Sequence, residues 1–180
     1  FGRRYMKLSD DEVHAIILYQ LSALDGIAKT YGLSLNHVKP HGALYNATFS
    51  DKQLAKVIAE AVKDYNPNLK LMGLANNNLV KAGESIGLQV VHEVFADRAY
   101  EDDGTLVSRS KEGAMITDSH IAAERVLRMI NEGKVESING QDVDIQADSI
   151  CVHGDGAKAL EFVKEIKKQL EEKGVSIKTM

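Results

Sequence analysis

What constrains this chain most is a rhythm. Strand-length apolar segments alternate with amphipathic helices that carry their own start and stop signals. Leu35 to Lys39, Leu69 to Gly73, Leu88 to Phe95 and Ser149 to His153 are short, apolar and bounded by Gly, Pro or Asn, and they read as strands. Ser9-Asp10-Asp11-Glu12 has the form of a capping box, in which the hydroxyl accepts the N–H three residues on and Glu12 reaches back. Val13, Ile16, Ile17, Leu21 and Leu24 then recur at helical spacing, and Gly32 is placed to end that helix near Tyr31. A second such box, Ser50-Asp51-Lys52-Gln53, precedes Leu54, Val57, Ile58, Ala61, Val62 and Tyr65, with Asn66-Pro67 as the stop. Leu79 to Ile86, Ile121 to Ile130 and Leu160 to Leu170 supply three further helices. Asn139-Gly140, between Val135–Ile138 and Asp142–Ile145, predicts a hairpin inserted into the rhythm.

Repeated βα units imply parallel strands, because each right-handed crossover returns the chain to the same end of the sheet. Catalytic groups then belong at the carboxyl ends of the strands. Polar clusters sit there: Lys39-Pro40-His41-Gly42, Asn76-Asn77-Asn78, Glu93 through Arg98, and His153-Gly154-Asp155-Gly156. The helix-to-strand joins hold mostly Gly and Asn.

In His37-Val38-Lys39-Pro40-His41 the two-residue period puts His37, Lys39 and His41 on one side as long as the backbone stays extended. Lys39 could then stabilise an oxyanion or a phosphoryl group while His41 moves a proton; the plainer reading is a strand ended by Pro40, a core His37 and a solvated Lys39. Glu93 and Asp97 share a parity at the end of the strand from Leu88 to Phe95, and paired carboxylates can split into acid and base. Arg98 and Arg109 could offer forks to a substrate carboxylate, although Asp97–Arg98 also reads as a loop ion pair. The stretch from Glu101 to Thr117 is long for a connection and suggests a lid or binding loop. Cys151, His153 and Asp155 align by the same alternation, ahead of a helix start that favours anions; Asp155 is equally a helix cap. No G-x-x-x-x-G-K-[ST] loop occurs, so nucleotide binding is not predicted. His41, His153 and a carboxylate could hold a divalent metal, but no local ligand spacing supports one.

Composition excludes other classes. Lys+Arg 22 against Asp+Glu 26, a net charge of −4 and scattered basic residues argue against nucleic acid. No run approaches the ~20 apolar residues of a membrane span. The single cysteine, Cys151, rules out a disulfide framework, so the expectation is a cytoplasmic protein.

Three segments in register carry a resemblance. His37-Val38-Lys39-Pro40-His41-Gly42-Ala43-Leu44-Tyr45-Asn46, Glu93-Val94-Phe95-Ala96-Asp97-Arg98 and Cys151-Val152-His153-Gly154-Asp155-Gly156 closely resemble the LamB/YcsF family. That resemblance implies an α/β fold, a parallel (β/α) barrel of the glycoside hydrolase/deacetylase type. It also implies ATP-dependent hydrolytic opening of 5-oxoproline to L-glutamate, with ATP as cosubstrate on two partner subunits, PxpB and PxpC. Lys39, His41, Asp97, His153 and Asp155 are then the expected catalytic residues. Asn46, Glu93, Arg98 and Arg109 are the expected substrate contacts, and a homo-oligomer is compatible with either role.

Upstream motifs that the family carries, of the types D-L-N-x-D-x-G-E, G-F-H-A-G-D and G-A-H-P, do not occur in this sequence, which opens at Phe1 without Met. About four or five parallel strands are fewer than a barrel of ~250 residues takes. The expectation is therefore one domain over residues 1–180 that lacks its N-terminal strands. Two other readings compete: a metal-dependent amidohydrolase or deacetylase acting alone, and a non-catalytic subunit that binds 5-oxoproline.

Overall fold

A computed structural model of the protein describes residues 4–154 and 159–180. The chain divides into two compact units, Phe1–His92 and Glu93–Met180.

The first unit runs α1 (Asp10–Thr30), β1 (His37–Val38), α2 (Ala43–Ala47), α3 (Lys52–Tyr65), β2 (Lys70–Leu74), α4 (Asn78–Ser85) and the opening residues of β3 (Val90–Phe95). The expected capping box starts α1: Ser9 N donates to Glu12 Oε2 at 2.7 Å and Glu12 N donates to Ser9 Oγ at 3.3 Å. Three acidic residues in the first turn suit the positive end of the helix dipole. Helix α3 begins one residue later than expected. Its cap is Asp51, whose carboxylate accepts Leu54 N at 2.9 Å, while Gln53 turns outward to Asp10 at 2.8 Å. A carboxylate at a helix start accepts more strongly than a hydroxyl, so Asp51 takes the cap from Ser50.

Strand β1 is shorter than the apolar run, since Pro40 has no N–H to donate to a ladder. It pairs in parallel with β2, Val38 opposite Leu71, and Leu71 N donates to Gln89 O at 2.8 Å where the chain enters β3. The core joins Val13, Ile17 and Leu21 of α1 to Ala55, Val57, Ile58, Ala59 and Val62 of α3 and to Leu69, Leu71 and Leu79. Helix α2, absent from the expectations, starts after Gly42 at φ 63° and buries Tyr45 edge-to-face against Phe49 at 5.4 Å.

The second unit holds the rest of β3, then α5 (Ser119–Glu132), β4 (Lys134–Glu136), β5 (Asp142–Asp144), β6 (Ser149–Cys151) and α6 (Ala159–Glu172). Strands β3 and β6 are parallel, with Glu93 opposite Ser149, Val94 opposite Ile150 and Phe95 opposite Cys151. The strand order is β1-β2-β3-β6, the four-stranded parallel sheet of an α/β protein. Asp118 caps α5 by accepting His120 N and Ile121 N, and Ala122, Ala123 and Val126 pack with Ile166 and Leu170 of α6.

The expected hairpin forms from β4 and β5, with Val135 opposite Val143, but its turn is wider than Asn139-Gly140. Ser137 N donates to Gln141 O at 2.8 Å and only Gly140 takes a positive φ there. The 101–117 stretch is folded back on itself. Tyr100 bridges Leu106 and Arg98 bridges Met115, and Ala99, Val107 and Ala114 are buried together. Among the described residues no helix is long and apolar enough to cross a membrane.

Candidate functional site

The register of β3 and β6 builds a pair of ionisable groups. Phe95 faces Cys151, so two residues further along each chain Asp97 comes opposite His153. His153 Nδ1 lies 2.7 Å from Asp97 Oδ2 and 3.0 Å from Oδ1, and His153 N donates to Oδ2 at 3.1 Å. A carboxylate only accepts, so Nδ1 is the protonated nitrogen and Nε2 is left to exchange a proton. The Phe95 ring stacks on the imidazole, centroids 5.6 Å apart and planes at 28°. Asp97 is 9 % exposed at its side chain and His153 25 %, which makes the carboxylate the holder and the imidazole the accessible partner.

Around this pair, every residue from Val91 to Tyr100 is buried. Glu93 lies inside β3, and its charge helps hold the Tyr100 phenol above its ordinary pKa, although burial is the larger cause. Tyr100 in turn accepts Phe95 N. Arg98 donates Nη2 to Val107 O and leaves Nε buried without a partner. Burial, then the charge of Arg109, press its guanidinium below its ordinary pKa, and Asp97 opposes them. Arg109 is exposed on the folded loop.

In the first unit the alternation over residues 37–41 holds: His37 and His41 are exposed, Val38 and Pro40 buried, and Lys39 half-buried. A core role for His37 is thereby corrected, because the pleat turns it to solvent. Lys39 Nζ stands 5.6 Å from the centre of the Tyr45 ring, a cation–π distance, and Asn46 is exposed on α2. Asp155 lies outside the described residues. Among the described residues, no group of three or more His, Cys, Asp and Glu side chains is placed to hold a metal ion.

Two residues that hold this region were not anticipated from the sequence: Tyr100, and Arg125 on α5. The signal for Arg125 was present in the helical period, which sets it on the face of Ala122, Val126 and Met129.

The LamB/YcsF family model matches residues 1–180, the whole chain. This protein belongs to the LamB/YcsF family. Among its relatives within that family, the 5-oxoprolinase A subunit of Clostridium beijerinckii is 54 % identical over 177 residues, covering 98 % of this chain and 69 % of that protein. The protein of the same name from Pyrococcus abyssi is 52 % identical over 177 residues, again 98 % and 69 %. Among solved structures, the lactam utilization protein of Thermus thermophilus is similar with a TM-score of 0.92 and 44 % identity, covering 99 % of this chain and 71 % of that one. Two family segments singled out in the sequence, 93–98 and 151–156, supply Asp97 and His153 of the pair.

Proposed function

We propose that this LamB/YcsF chain acts as the A subunit of a cytoplasmic 5-oxoprolinase that opens 5-oxoproline to L-glutamate at the expense of ATP. The relatives' names supply the substrate class, and the observation that carries the chemistry is the Asp97–His153 pair at the ends of β3 and β6. ATP and the partner subunits PxpB and PxpC enter through the family resemblance. A (β/α) barrel belongs to the same reading, supported by the parallel pairs β1–β2 and β3–β6.

A lactam carbonyl is a poor electrophile, so the coupled reaction transfers the γ-phosphoryl group of ATP to the lactam oxygen, breaking the β,γ P–O bond and releasing ADP. Water then adds to the activated carbon and gives its proton to His153 Nε2. Asp97 balances the imidazolium charge that results. The ring C–N bond breaks with its electron pair on nitrogen, nitrogen takes the proton back from His153, and the added hydroxyl gives its remaining proton to solvent as the acyl C=O closes. A second water hydrolyses the acyl phosphate that remains to L-glutamate and inorganic phosphate. Asp155 is the alternative water-activating group and His41 the alternative acid. Lys39 is assigned to the oxyanion or phosphoryl charge, and Arg98 or Arg109 to the substrate carboxylate. Asn46 and Glu93 are assigned to polar contacts with the substrate.

The test is glutamate formation from 5-oxoproline and ATP by the assembled subunits. Asp97→Asn and His153→Gln are each expected to lose on the order of 10²–10⁴-fold in turnover. Unchanged turnover in both would remove the assignment.

A further inference from the structure

We propose that Arg125 is a positioning residue for the Asp97–His153 pair, acting through the main chain of Arg98. The proposal rests on reading that pair as the acid–base centre. Arg125 Nη2 donates to Arg98 O at 3.3 Å and Nη1 donates to Glu136 O at 3.4 Å. One planar guanidinium therefore ties the residue after Asp97 to strand β4, with a fork that a lysine ammonium lacks. The same short segment is held from two other sides. Ile116 N donates to Asp97 O at 2.9 Å, and Arg98 Nη2 donates to Val107 O.

Arg98 O lies one peptide unit beyond the pair that flanks Asp97, so with Asp97 O already held by Ile116 N, fixing it stops the backbone at Arg98 from turning and carrying the carboxylate with it; at 2.7 Å from His153 a small rotation would break the contact. Packing alone does not call for an arginine at this place. Its neighbours on the helix face, Ala122, Val126 and Met129, are apolar and fully buried. The arginine also leaves Nε buried without a partner, which destabilises the fold unless the two terminal nitrogens do something an apolar side chain would not. What they do is fix the Arg98 and Glu136 carbonyls.

The test compares Arg125→Met with Arg125→Lys, using His153→Gln to assign the signal. In proton NMR of the chain, the His153 Nδ1–H held by Asp97 should give a downfield resonance that is absent in His153→Gln, shifted or broadened in Arg125→Met, and partly restored in Arg125→Lys. In the assembled subunits, kcat for glutamate formation should fall about tenfold in Arg125→Met with KM changed less than about twofold, and Arg125→Lys should lie between. A wild-type resonance together with a wild-type kcat in Arg125→Met would overturn the proposal. Should Arg125→Met fail to fold, Arg125→Lys carries the test alone: a fall in kcat of about threefold or more supports it, and wild-type values overturn it. Full activity of Asp97→Asn would instead overturn the acid–base reading, while the resonance would still report on Arg125.

Discussion

The hydroxyl oxygen of Tyr100 accepts the main-chain N–H of Phe95 at 2.8 Å, inside a buried segment. The bond closes the end of β3, where Phe95 presents its ring to His153. Tyr100→Phe keeps the ring and removes the acceptor of this bond. The expected cost is the net contribution of one buried hydrogen bond, about 0.5–1.5 kcal/mol. Urea unfolding should show a lower midpoint with an unchanged slope; an unchanged midpoint would mean that the bond contributes nothing to stability.

The same substitution at two helical glycines should act with opposite signs. A Cβ at Gly26 in α1 would meet nothing within 4 Å, so Gly26→Ala is expected to stabilise by about 0.5–1 kcal/mol. At Gly83 in α4 a Cβ would come within 2.8 Å of Val90 Cγ1 and 3.2 Å of Leu71 Cδ2. Overpacking of about 1–3 kcal/mol outweighs the helix gain there, and Gly83→Ala should destabilise. Melting temperatures of the two variants measured side by side decide it.

Asp25 is held below the usual carboxylate range first by Lys29 and then by Tyr65, whose hydroxyl donates to it at 2.6 Å. A depressed carboxylate contributes stability that is present above the unfolded pKa of about 4 and is lost as pH falls through its lower folded value. Lys29 and Tyr65 are both raised, chiefly by their hydrogen bonds to Asp25. Their contributions are complete below their ordinary values, near 10, and are lost as pH rises through the raised ones. The difference in melting temperature between the wild type and Asp25→Asn should therefore be flat at neutral pH and close at both ends. A difference that persists in acid would contradict the network.

If Asp97 and His153 act as one unit, their losses should not add. Asp97→Asn/His153→Gln is expected to form glutamate about as slowly as the worse of the two single variants, within roughly threefold. Multiplicative losses would mean that each residue acts independently.

How far the sequence reached depended on how far away a residue's partner lies. Ser9 and Glu12 cap each other three residues apart, and that helix start was legible. Ser50 and Asp51 are adjacent candidates for one cap. The choice was not legible, since Gln53, the other half of the expected box, is taken by Asp10, 43 positions upstream. The parities of Asp97 and His153 could each be read from alternation. That they meet required knowing that β6 lies beside β3 although the β4–β5 hairpin comes between them in sequence. The helical period places Arg125 toward a buried face, but Tyr100 and Arg125 bond to main-chain atoms, which leave no mark on residue type, so what the two hold emerged only from the folded chain.

Asp102 takes Ser137 Oγ on one carboxylate oxygen and Asn139 Nδ2 on the other, and Ile138 N donates to Tyr100 O. The long loop and the hairpin turn are thus stitched together across some 35 positions of sequence. Proteolytic nicking of either one requires both to come loose, so the two segments share a single local opening free energy, and a protease should report one rate for both.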